Sequence, residues 1–359
     1  MNKFQINNMK ELSFESLPDY NSVVDYLKKK NRTRHLLLGN GFSMAYDKDI
    51  FSYNALFNFI QNLKDQTLSK VFKAINTKNF ELVMQQLDNF IEIAISLNAD
   101  KGFIDQLKDS HNSLQNSLID SIKELHPEHV FTIPEEKSKH CFNFLDGFIS
   151  SNGKVFTTNY DLLLYWVLMR NKAKGAVDGF GREIVNPEAY QEGEEFQYSE
   201  LIWGKYKKEQ SVYYIHGTLP FFDNGIDIIK EEYTSDHYIL ENIKSRLDKK
   251  EYPIFVTAGN GEEKLAHIMH NKYLTHCYEE LCNVQGSLIT FGFNFGEYDE
   301  HIIDAINRAS KYGLKSGDKL FSVYIGVYTK KDFEHIQSIK KKFLCKVNLY
   351  NAQTAKIWV

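Results

Sequence analysis

Proline and cysteine are both scarce in this chain. Its 359 residues include only six prolines and four cysteines. Four cysteines are too few to staple a secreted chain of this length, so a disulfide-stabilised extracellular domain is excluded and a reducing cytoplasm is expected. Because prolines and glycines are few, the positions of those present indicate where regular elements end.

Long apolar runs, internal repeats and a strong net charge are also missing. No run approaches the length that spans a membrane, and the first residues, MNKFQINNMKEL, lack the apolar core of a signal peptide. Lysine and arginine total 43 against 47 aspartates and glutamates, which gives a formal charge of −4. This balance does not suggest a dedicated nucleic-acid binder. The sequence therefore predicts a cytoplasmic protein with no membrane association and no sequence-specific nucleic-acid binding.

Hydrophobic residues make up 43% of the chain, which is enough to bury a sizeable core and excludes a disordered or collagenous protein. Several apolar segments have the character of strands: Thr33–Leu38, Lys154–Thr157, Val212–Ile215, Ile254–Thr257, Ser287–Phe291, Leu320–Val327 and Lys346–Tyr350. Helical patterns fit between the later segments, at Glu262–Cys282, Asp299–Lys311 and Lys331–Lys342. This alternation predicts an α/β fold with a doubly wound, mostly parallel, Rossmann-like sheet.

The stretch from residue 51 to residue 150 has a different character. Its periodicity is helical, and its apolar residues line one helical face at Phe80, Val83, Met84, Leu87, Phe90, Ile91 and Ala94. We therefore predict a helical insertion at 51–150 within an α/β domain formed by residues 1–50 and 151–359. Residues 172–208 show no clear period and are predicted to form irregular loops.

Four unusual segments follow predicted strands, at the carboxyl ends where ligands bind in such sheets. The first is Gly39-Asn40-Gly41-Phe42-Ser43. Its two glycines allow a tight turn and let backbone N–H groups approach a phosphate. The dinucleotide fingerprint would require a third glycine at Met44, so a plain tight turn explains this segment equally well.

The second segment is Thr158-Asn159-Tyr160-Asp161, which follows a short apolar strand. An amide and a carboxylate at a strand end can both face a ligand. The same residue types are favoured helix caps, and the helical segment Leu162–Met169 comes next. Capping explains one of these residues but not the whole polar run.

The third and fourth segments carry histidine and glycine. His216-Gly217 ends an apolar strand, where a histidine can act as a general base because its pKa lies near neutrality. A lone histidine more often has a structural role. The fourth segment, Gly292-Phe293-Asn294-Phe295-Gly296, is a glycine-rich turn suited to the second half of a dinucleotide. Asp299 and His301, which follow it, are expected to brace the next helix.

Together, these segments resemble the sirtuin family. Gly39–Ser43 is similar to the phosphate-binding Gly-Ala-Gly turn of sirtuins, with Asn40 in place of the alanine. Thr158–Asp161 resembles the sirtuin segment with the catalytic Asn and a ribose-contacting Asp, and His216-Gly217 resembles the catalytic His-Gly pair. Gly292–Asn294 resembles the late glycine turn near the adenosine. The four segments also follow the sirtuin order, so the resemblance implies a sirtuin-like fold that binds NAD.

One departure concerns zinc. Sirtuin deacylases bind a structural zinc with two cysteine pairs, whereas Cys277 and Cys282 lie in a predicted helix and Cys141 and Cys345 lie far away in the sequence. The peptide cleft of sirtuins forms beside that zinc module, so deacylation is not the expected activity. The pattern resembles the sirtuin-like NAD hydrolases of bacterial anti-phage defence, which deplete NAD in abortive infection, often with an activating partner such as a HerA-type ATPase.

This resemblance implies hydrolysis of the bond between nicotinamide and ribose, with NAD as the substrate. Asn159 would position the ribose and the attacking water, and Asp161 would hold a ribose hydroxyl and stabilise positive charge on the sugar. His216 would act as the base or as the hydrogen-bond partner of a ribose hydroxyl. The Gly39–Ser43 turn would hold the pyrophosphate with backbone N–H groups and a hydroxyl.

Two alternatives stay open. A zinc-free protein deacylase would use the same Asn159 and His216, and a binding module would sense NAD or ADP-ribose without turnover. Self-assembly into a homo-oligomer is expected in either case. Glu263, His267 and His270 share a helical face at a spacing that can bind a metal, but helical histidines near Lys and Glu usually face solvent or the core, so no metal is expected.

Overall fold

A computed structural model describes residues 13–48, 66–76, 80–125, 130–185, 197–232, 239–249, 251–256, 260–311 and 319–359. Its strands are β1 (Arg34–Leu38), β2 (Val155–Thr157), β3 (Phe180–Gly181), β4 (Leu201–Trp203), β5 (Val212–Tyr214), β6 (Gly217–Asp223), β7 (Ile228–Lys230), β8 (Tyr252–Phe255), β9 (Gly286–Phe291), β10 (Leu320–Val327) and β11 (Lys346–Asn351). Its helices are α1 (Tyr20–Lys29), α2 (Gly41–Met44), α3 (Gln66–Ile75), α4 (Phe80–Ser96), α5 (Lys101–Leu125), α6 (Glu135–Ile149), α7 (Leu163–Arg170), α8 (Ile239–Asp248), α9 (Gly261–His270), α10 (Lys272–Cys282), α11 (Glu300–Lys311) and α12 (Lys330–Ile339).

The first sheet is parallel throughout and has the order β11-β10-β9-β1-β2-β5. When its six strands are counted in chain order, this arrangement is 3-2-1-4-5-6, the strand order of the dinucleotide-binding Rossmann fold. All residues of β1 and β9 are buried, as expected for inner strands of a parallel sheet with both faces covered, and Leu36–Leu38 and Leu288–Ile289 form their apolar centres. The α/β prediction with a parallel, Rossmann-like sheet is confirmed.

The direction of winding reverses between β1 and β9. The chain passes outward from β1 to β2 and β5, and then returns to place β9 on the other side of β1. In open α/β sheets such a reversal opens a crevice at the carboxyl ends of the two strands. The turns after β1 and β9 therefore meet at the switch point of the sheet.

A second sheet, which is antiparallel, has the order β3-β4-β7-β6-β8. The prediction that Ile254–Thr257 belongs to the parallel sheet is wrong, because β8 pairs with β6 in this second sheet; Thr257 itself lies outside the described residues. Short apolar strands of the two sheets have the same composition, so sequence alone could not separate them.

Other parts of this antiparallel sheet also correct the sequence analysis. Residues 172–208 were predicted to be irregular, but β3 and β4 pair within them, and residues 186–196 lie outside the described part of the chain. The strand β6 contains Pro220, a residue that argues against a paired strand. Its register with β8 shifts between Gly217 and Phe222, so the proline falls in the irregular stretch.

The segment Glu262–Cys282 was predicted to be one helix, and the structure divides it in two. The break is at Asn271, whose side-chain oxygen accepts hydrogen bonds from the N–H groups of Tyr273 and Leu274, at 3.0 and 3.1 Å. This is the hydrogen bonding of a helix N-cap, a position that asparagine favours. A new helix, α10, therefore begins directly after α9.

Helices dominate the described part of residues 51–150; residues 51–65, 77–79 and 126–129 lie outside it. The last of these helices, α6, packs on β1 and β2, and the ring of Phe144 lies 5.9 Å from that of Phe291. Earlier in the insertion, Asp88 accepts a hydrogen bond from Tyr252 of β8, so α4 is tied to the antiparallel sheet. The boundary at residue 150 stays a prediction.

Across the described elements, no helix has both the length and the apolar character required to cross a bilayer.

Gly217 is the position where this fold depends most directly on glycine. Its φ is +73°, and a Cβ there would lie 1.9 Å from the carbonyl oxygen of Ile254 on β8. We expect Gly217→Ala to lower the free energy of unfolding by about 1–2 kcal/mol for the left-handed backbone and by about 1–3 kcal/mol more for overpacking, as measured by chemical denaturation. Gly225→Ala is the matched control, because φ is +86° there but a Cβ would meet open space. Equal losses in the two variants would contradict this account of Gly217.

Candidate functional site

A cavity of about 940 Å³ lies at the switch point of the parallel sheet. Loops that follow β1, β2, β5, β9 and β10 contribute to its lining. Most of the residues singled out from the sequence line it: Asn40, Gly41, Thr158, Asn159, Asp161, His216, Gly292 and Asn294. The remaining ones are not part of the lining, namely Gly39, Phe42, Ser43 and Gly217. The fold thus brings together segments that are distant in sequence.

The two glycine turns pack directly on each other. The N–H of Gly39 donates to the carbonyl of Phe291 at 3.0 Å, and the N–H of Gly41 donates to the carbonyl of Gly292 at 2.9 Å. A Cβ on Gly41 would lie 2.6 Å from the Cα of Gly292, whose φ is +67°. The contact between turns therefore requires glycine on both sides. The two N–H groups that the sequence predicts to hold a pyrophosphate are already engaged within the fold.

A chain of hydrogen bonds links the turn after β1 to the loop after β2. The side-chain nitrogen Nδ2 of Asn159 donates to Oγ of Ser43 at 2.9 Å, and the hydroxyl of Ser43 donates to Oδ2 of Asp161. The other carboxylate oxygen of Asp161 accepts from the N–H of Leu163 at 2.9 Å, in the first turn of α7. The N-cap residue of this helix is Leu162, so Asp161 does not occupy the cap position, but it satisfies the first N–H of the helix and also lines the cavity.

Burial dominates the electrostatics of Asp161. The side chain is 6% exposed, and the loss of hydration raises the pKa of its carboxyl to about 6, although the hydrogen bonds from Ser43 and the Leu163 N–H favour the charged form. This carboxyl therefore changes its charge within the range of pH at which the protein can be assayed.

His216 lies at the end of β5 and is held by several neighbours. Its carbonyl accepts a hydrogen bond from the N–H of Val256 at 2.8 Å. Its ring nitrogen Nε2 lies 2.8 Å from Nε2 of His301, and the two rings are stacked 5.1 Å apart. Burial lowers the pKa of both imidazoles, that of His301 to about 3, and the positive charge of Lys264 lowers both further. Both histidines are therefore neutral near pH 7.

The ring of His216 also lies close to the backbone of Thr158, which favours the protonated ring and partly offsets the lowering of its pKa. Which imidazole donates between the two Nε2 atoms is set by the tautomers of the two rings. Nε2 of His216 is thus engaged with His301, and a substrate hydroxyl that binds this atom would have to replace His301. The Nδ1 of His301 is buried and has no hydrogen-bond partner among the described residues.

Gly217, which the resemblance places in the ligand site, does not open space for a ligand. Its missing side chain is required by the close approach of Ile254, described above, and it does not line the cavity. The glycine therefore serves the antiparallel sheet and holds His216 at the point where the chain passes from one sheet to the other.

Two lining residues, Lys264 and Trp358, were missed by sequence reasoning. Lys264 is 2% exposed, and its Nζ donates to Oδ1 of Asp299 at 3.1 Å. Oδ2 of Asp299 accepts from the N–H of Gly296 at 3.2 Å, so Asp299 braces the turn that precedes the next helix and also holds a buried cation at the cavity. Lysines in helices are usually exposed, so the sequence held no signal for Lys264. Trp358 donates from its indole to the carbonyl of Phe42 at 3.0 Å.

The histidines considered as metal ligands have other surroundings. Glu263 forms a capping box with Asn260 at the start of α9, and Nδ1 of His270 lies 2.6 Å from the carbonyl of Ala266. In the part of the chain that the structure describes, no group of three His, Cys, Asp or Glu side chains is arranged to hold a metal ion.

Comparison with known families places the chain in a family. A family model described as Domain of unknown function (DUF4917) matches residues 36–358. The chain belongs to this family. The matched range includes all the strands of both sheets, apart from the first two residues of β1. No curated protein matches the chain. The description of the DUF4917 family carries no activity, so function has to be inferred from the site.

The buried carboxyl of Asp161 predicts a distinctive pH dependence of stability. Its folded pKa of about 6 lies above its ordinary value of 3.8, so the folded state binds the proton more tightly. The free energy of unfolding of the natural chain, relative to Asp161→Asn, should therefore fall by about 3 kcal/mol as the pH rises from about 4 to about 6, and then stay constant. Denaturation at a series of pH values measures this difference.

Asp19 provides a control of opposite sign. It caps α1 at the surface, and hydrogen bonds from Ser22 lower the pKa of its carboxyl. Relative to Asp19→Asn, the stability of the natural chain should rise with pH in the acid range. If Asp161→Asn also gave a difference that rose with pH, the raised pKa of Asp161 would be refuted.

Proposed function

We propose that this protein is an NAD glycohydrolase, which cleaves the bond between nicotinamide and ribose to give nicotinamide and ADP-ribose. The observation that carries this proposal is the convergence of Asn159, Asp161 and His216 on one cavity at the switch point of a Rossmann-ordered sheet. Dinucleotides bind at this point in folds with this strand order. The resemblance of the same residues to the sirtuin set supports the same substrate.

The dimensions and lining of the cavity suit a dinucleotide. A volume of about 940 Å³ lies at the upper end of ligand pockets, as a molecule with two nucleosides requires. The lining combines apolar and aromatic side chains with a few buried polar groups, which is the usual composition of a ligand site. Because the N–H groups of Gly39 and Gly41 are engaged, the buried amine of Lys264 is a better candidate for contact with an anionic part of the substrate.

The chemistry requires little acid catalysis. Nicotinamide is cationic in NAD and leaves as a neutral molecule, so the barrier is lowered mainly by stabilising positive charge on the ribose. Ionised Asp161 supplies negative charge at the cavity, and Asn159 supplies an amide that can orient water. Both groups are buried, where electrostatic interactions are stronger than in water.

His216 would accept a proton from a ribose hydroxyl or from the attacking water. Its neutral ring suits this role. If the proton goes to Nε2, this nitrogen exchanges its hydrogen bond with His301 for one with the substrate. The resting arrangement would then be less active than one in which the two rings separate.

The proposed activity implies how the protein would be regulated and what role it would have in the cell. A hydrolase that consumed NAD continuously would harm its own cell, so we expect repression or dependence on a partner. A role in anti-phage defence by abortive infection, a cytoplasmic location, a homo-oligomeric state and activation by a HerA-type ATPase all belong to the proposal.

The engagement of Nε2 of His216 with His301 favours a second candidate function. A module that binds NAD or ADP-ribose without cleaving it would have no need of a free base. Incubation of the purified protein with NAD separates the two: released nicotinamide and ADP-ribose support the hydrolase, whereas binding without products supports the sensor.

The amide of Asn159 is the first test of the hydrolase. Asn159→Ala should abolish nicotinamide release while the melting temperature stays close to that of the natural chain, because the side chain lines a cavity and contributes little to the core. Chromatographic quantification of nicotinamide and thermal denaturation measure the two effects. An unfolded variant, or one that keeps most of the activity, would show that the amide serves the loop and not the reaction.

The imidazole of His216 is the second test. His216→Ala should lower kcat by about 10²–10⁴-fold, the contribution of a positioned base, while the affinity for NAD changes far less, since one hydrogen bond contributes only about 0.5–1.5 kcal/mol. Calorimetry and nicotinamide release separate the two quantities. If both fell by the same small factor, His216 would be a structural residue.

A further inference from the structure

Ser43 has a position that the proposed function leaves unexplained. The residue is completely buried, it does not line the cavity, and its hydroxyl stands between two side chains that do. One of these is the amide of Asn159 and the other is the carboxylate of Asp161. A direct contact of this hydroxyl with a pyrophosphate, which the sequence suggested, does not fit this burial.

The hydrogen bonds around Ser43 have a forced direction. An ionised carboxylate can only accept, so the single proton of the Ser43 hydroxyl is donated to Asp161. The oxygen of Ser43 must then accept from its other neighbour, and only the NH₂ group of Asn159 can donate there. With the amide turned by 180°, Ser43 would face two acceptors with one proton, and one of them would be left unsatisfied.

We propose that Ser43 is a positioning residue, which orients the amide of Asn159 so that its oxygen Oδ1 faces the cavity. Oδ1 forms no hydrogen bond with any described residue, and Asn159 lines the cavity. This inference rests on the proposed hydrolysis and specifies which atom of Asn159 serves it. Ser43 itself does not touch the substrate.

The orientation matters for the attacking water. An acceptor at the cavity takes a hydrogen from the water and leaves a lone pair of its oxygen free to attack the ribose carbon. An NH₂ group in the same place would donate to that lone pair and oppose the attack. The Asn159–Ser43–Asp161 chain therefore selects the productive orientation of an amide whose two ends are nearly equal in size.

The test compares the natural chain with Ser43→Ala, Asn159→Ala and the double variant. The kcat is measured for the natural chain and Ser43→Ala, and the NAD affinity of all four proteins is measured by calorimetry as a double-mutant cycle. We expect Ser43→Ala to lower kcat by roughly 10-fold or more, with little change in affinity either alone or in the Asn159→Ala background. Ser43→Cys keeps the volume and a weak donor, so it should fall between serine and alanine. Ser287→Ala is the matched control, because Ser287 is an equally buried serine on β9 whose hydroxyl pairs with Ser322.

The results of these measurements distinguish a positioning role of Ser43 from direct contact with the substrate and from failure of the proposed function. A large loss of NAD affinity in Ser43→Ala that adds to the effect of Asn159→Ala would mean direct contact with the substrate and would overturn the positioning role, as would an unchanged kcat. If the natural chain releases no nicotinamide, the proposed function fails, and NMR of the Asn159 side-chain amide still decides the orientation. Its ¹H–¹⁵N signals, assigned from the Asn159→Ala spectrum, should shift in Ser43→Ala and not in Ser287→Ala; unshifted signals would refute the role of Ser43.

Discussion

The contact between the turns that follow β1 and β9 determines the geometry of the whole candidate site. Two backbone hydrogen bonds, from Gly39 to Phe291 and from Gly41 to Gly292, hold these turns together where the sheet reverses its winding. No side chain fits between them. Because α2 begins within the first turn, the same contact sets the depth at which Ser43 is buried and hence the point from which it reaches the loop after β2.

The polar groups of the cavity are arranged as connected pairs and chains. Asn159, Ser43 and Asp161 form one chain, His216 and His301 form a pair, and Lys264 is joined to Asp299. Each connection joins elements that are distant in sequence, and each satisfies groups that would be costly to bury alone. The network thus fixes the relative positions of the loops that line the cavity. It also presents an amide oxygen and a carboxylate to the interior of the cavity.

The antiparallel sheet explains why His216 is placed so firmly. The chain leaves β5 of the parallel sheet and enters β6 of the antiparallel sheet within two residues. Ile254 of β8 and Val256, which follows β8, pack on this junction. The histidine therefore sits at a corner between two sheets. A corner that belongs to both sheets is fixed from two sides, which suits a group whose ring must keep one orientation.

The amino-acid sequence by itself determined the parallel sheet and the loops that form the cavity, because buried parallel strands leave continuous apolar runs and their carboxyl ends share one edge. It did not show that β8 belongs to a different sheet from the parallel strands, or that α9 and α10 are two helices. Short apolar runs and helical periodicity are local features, and they do not indicate which other element a segment pairs with. Only the tertiary structure decided that Gly39 and Gly41 face another turn, that Ser43 stands behind Asn159, and that His301 and Lys264 belong to the site. These contacts pair residues that are far apart in the chain. No local sequence pattern indicates which buried polar groups will be hydrogen-bond partners.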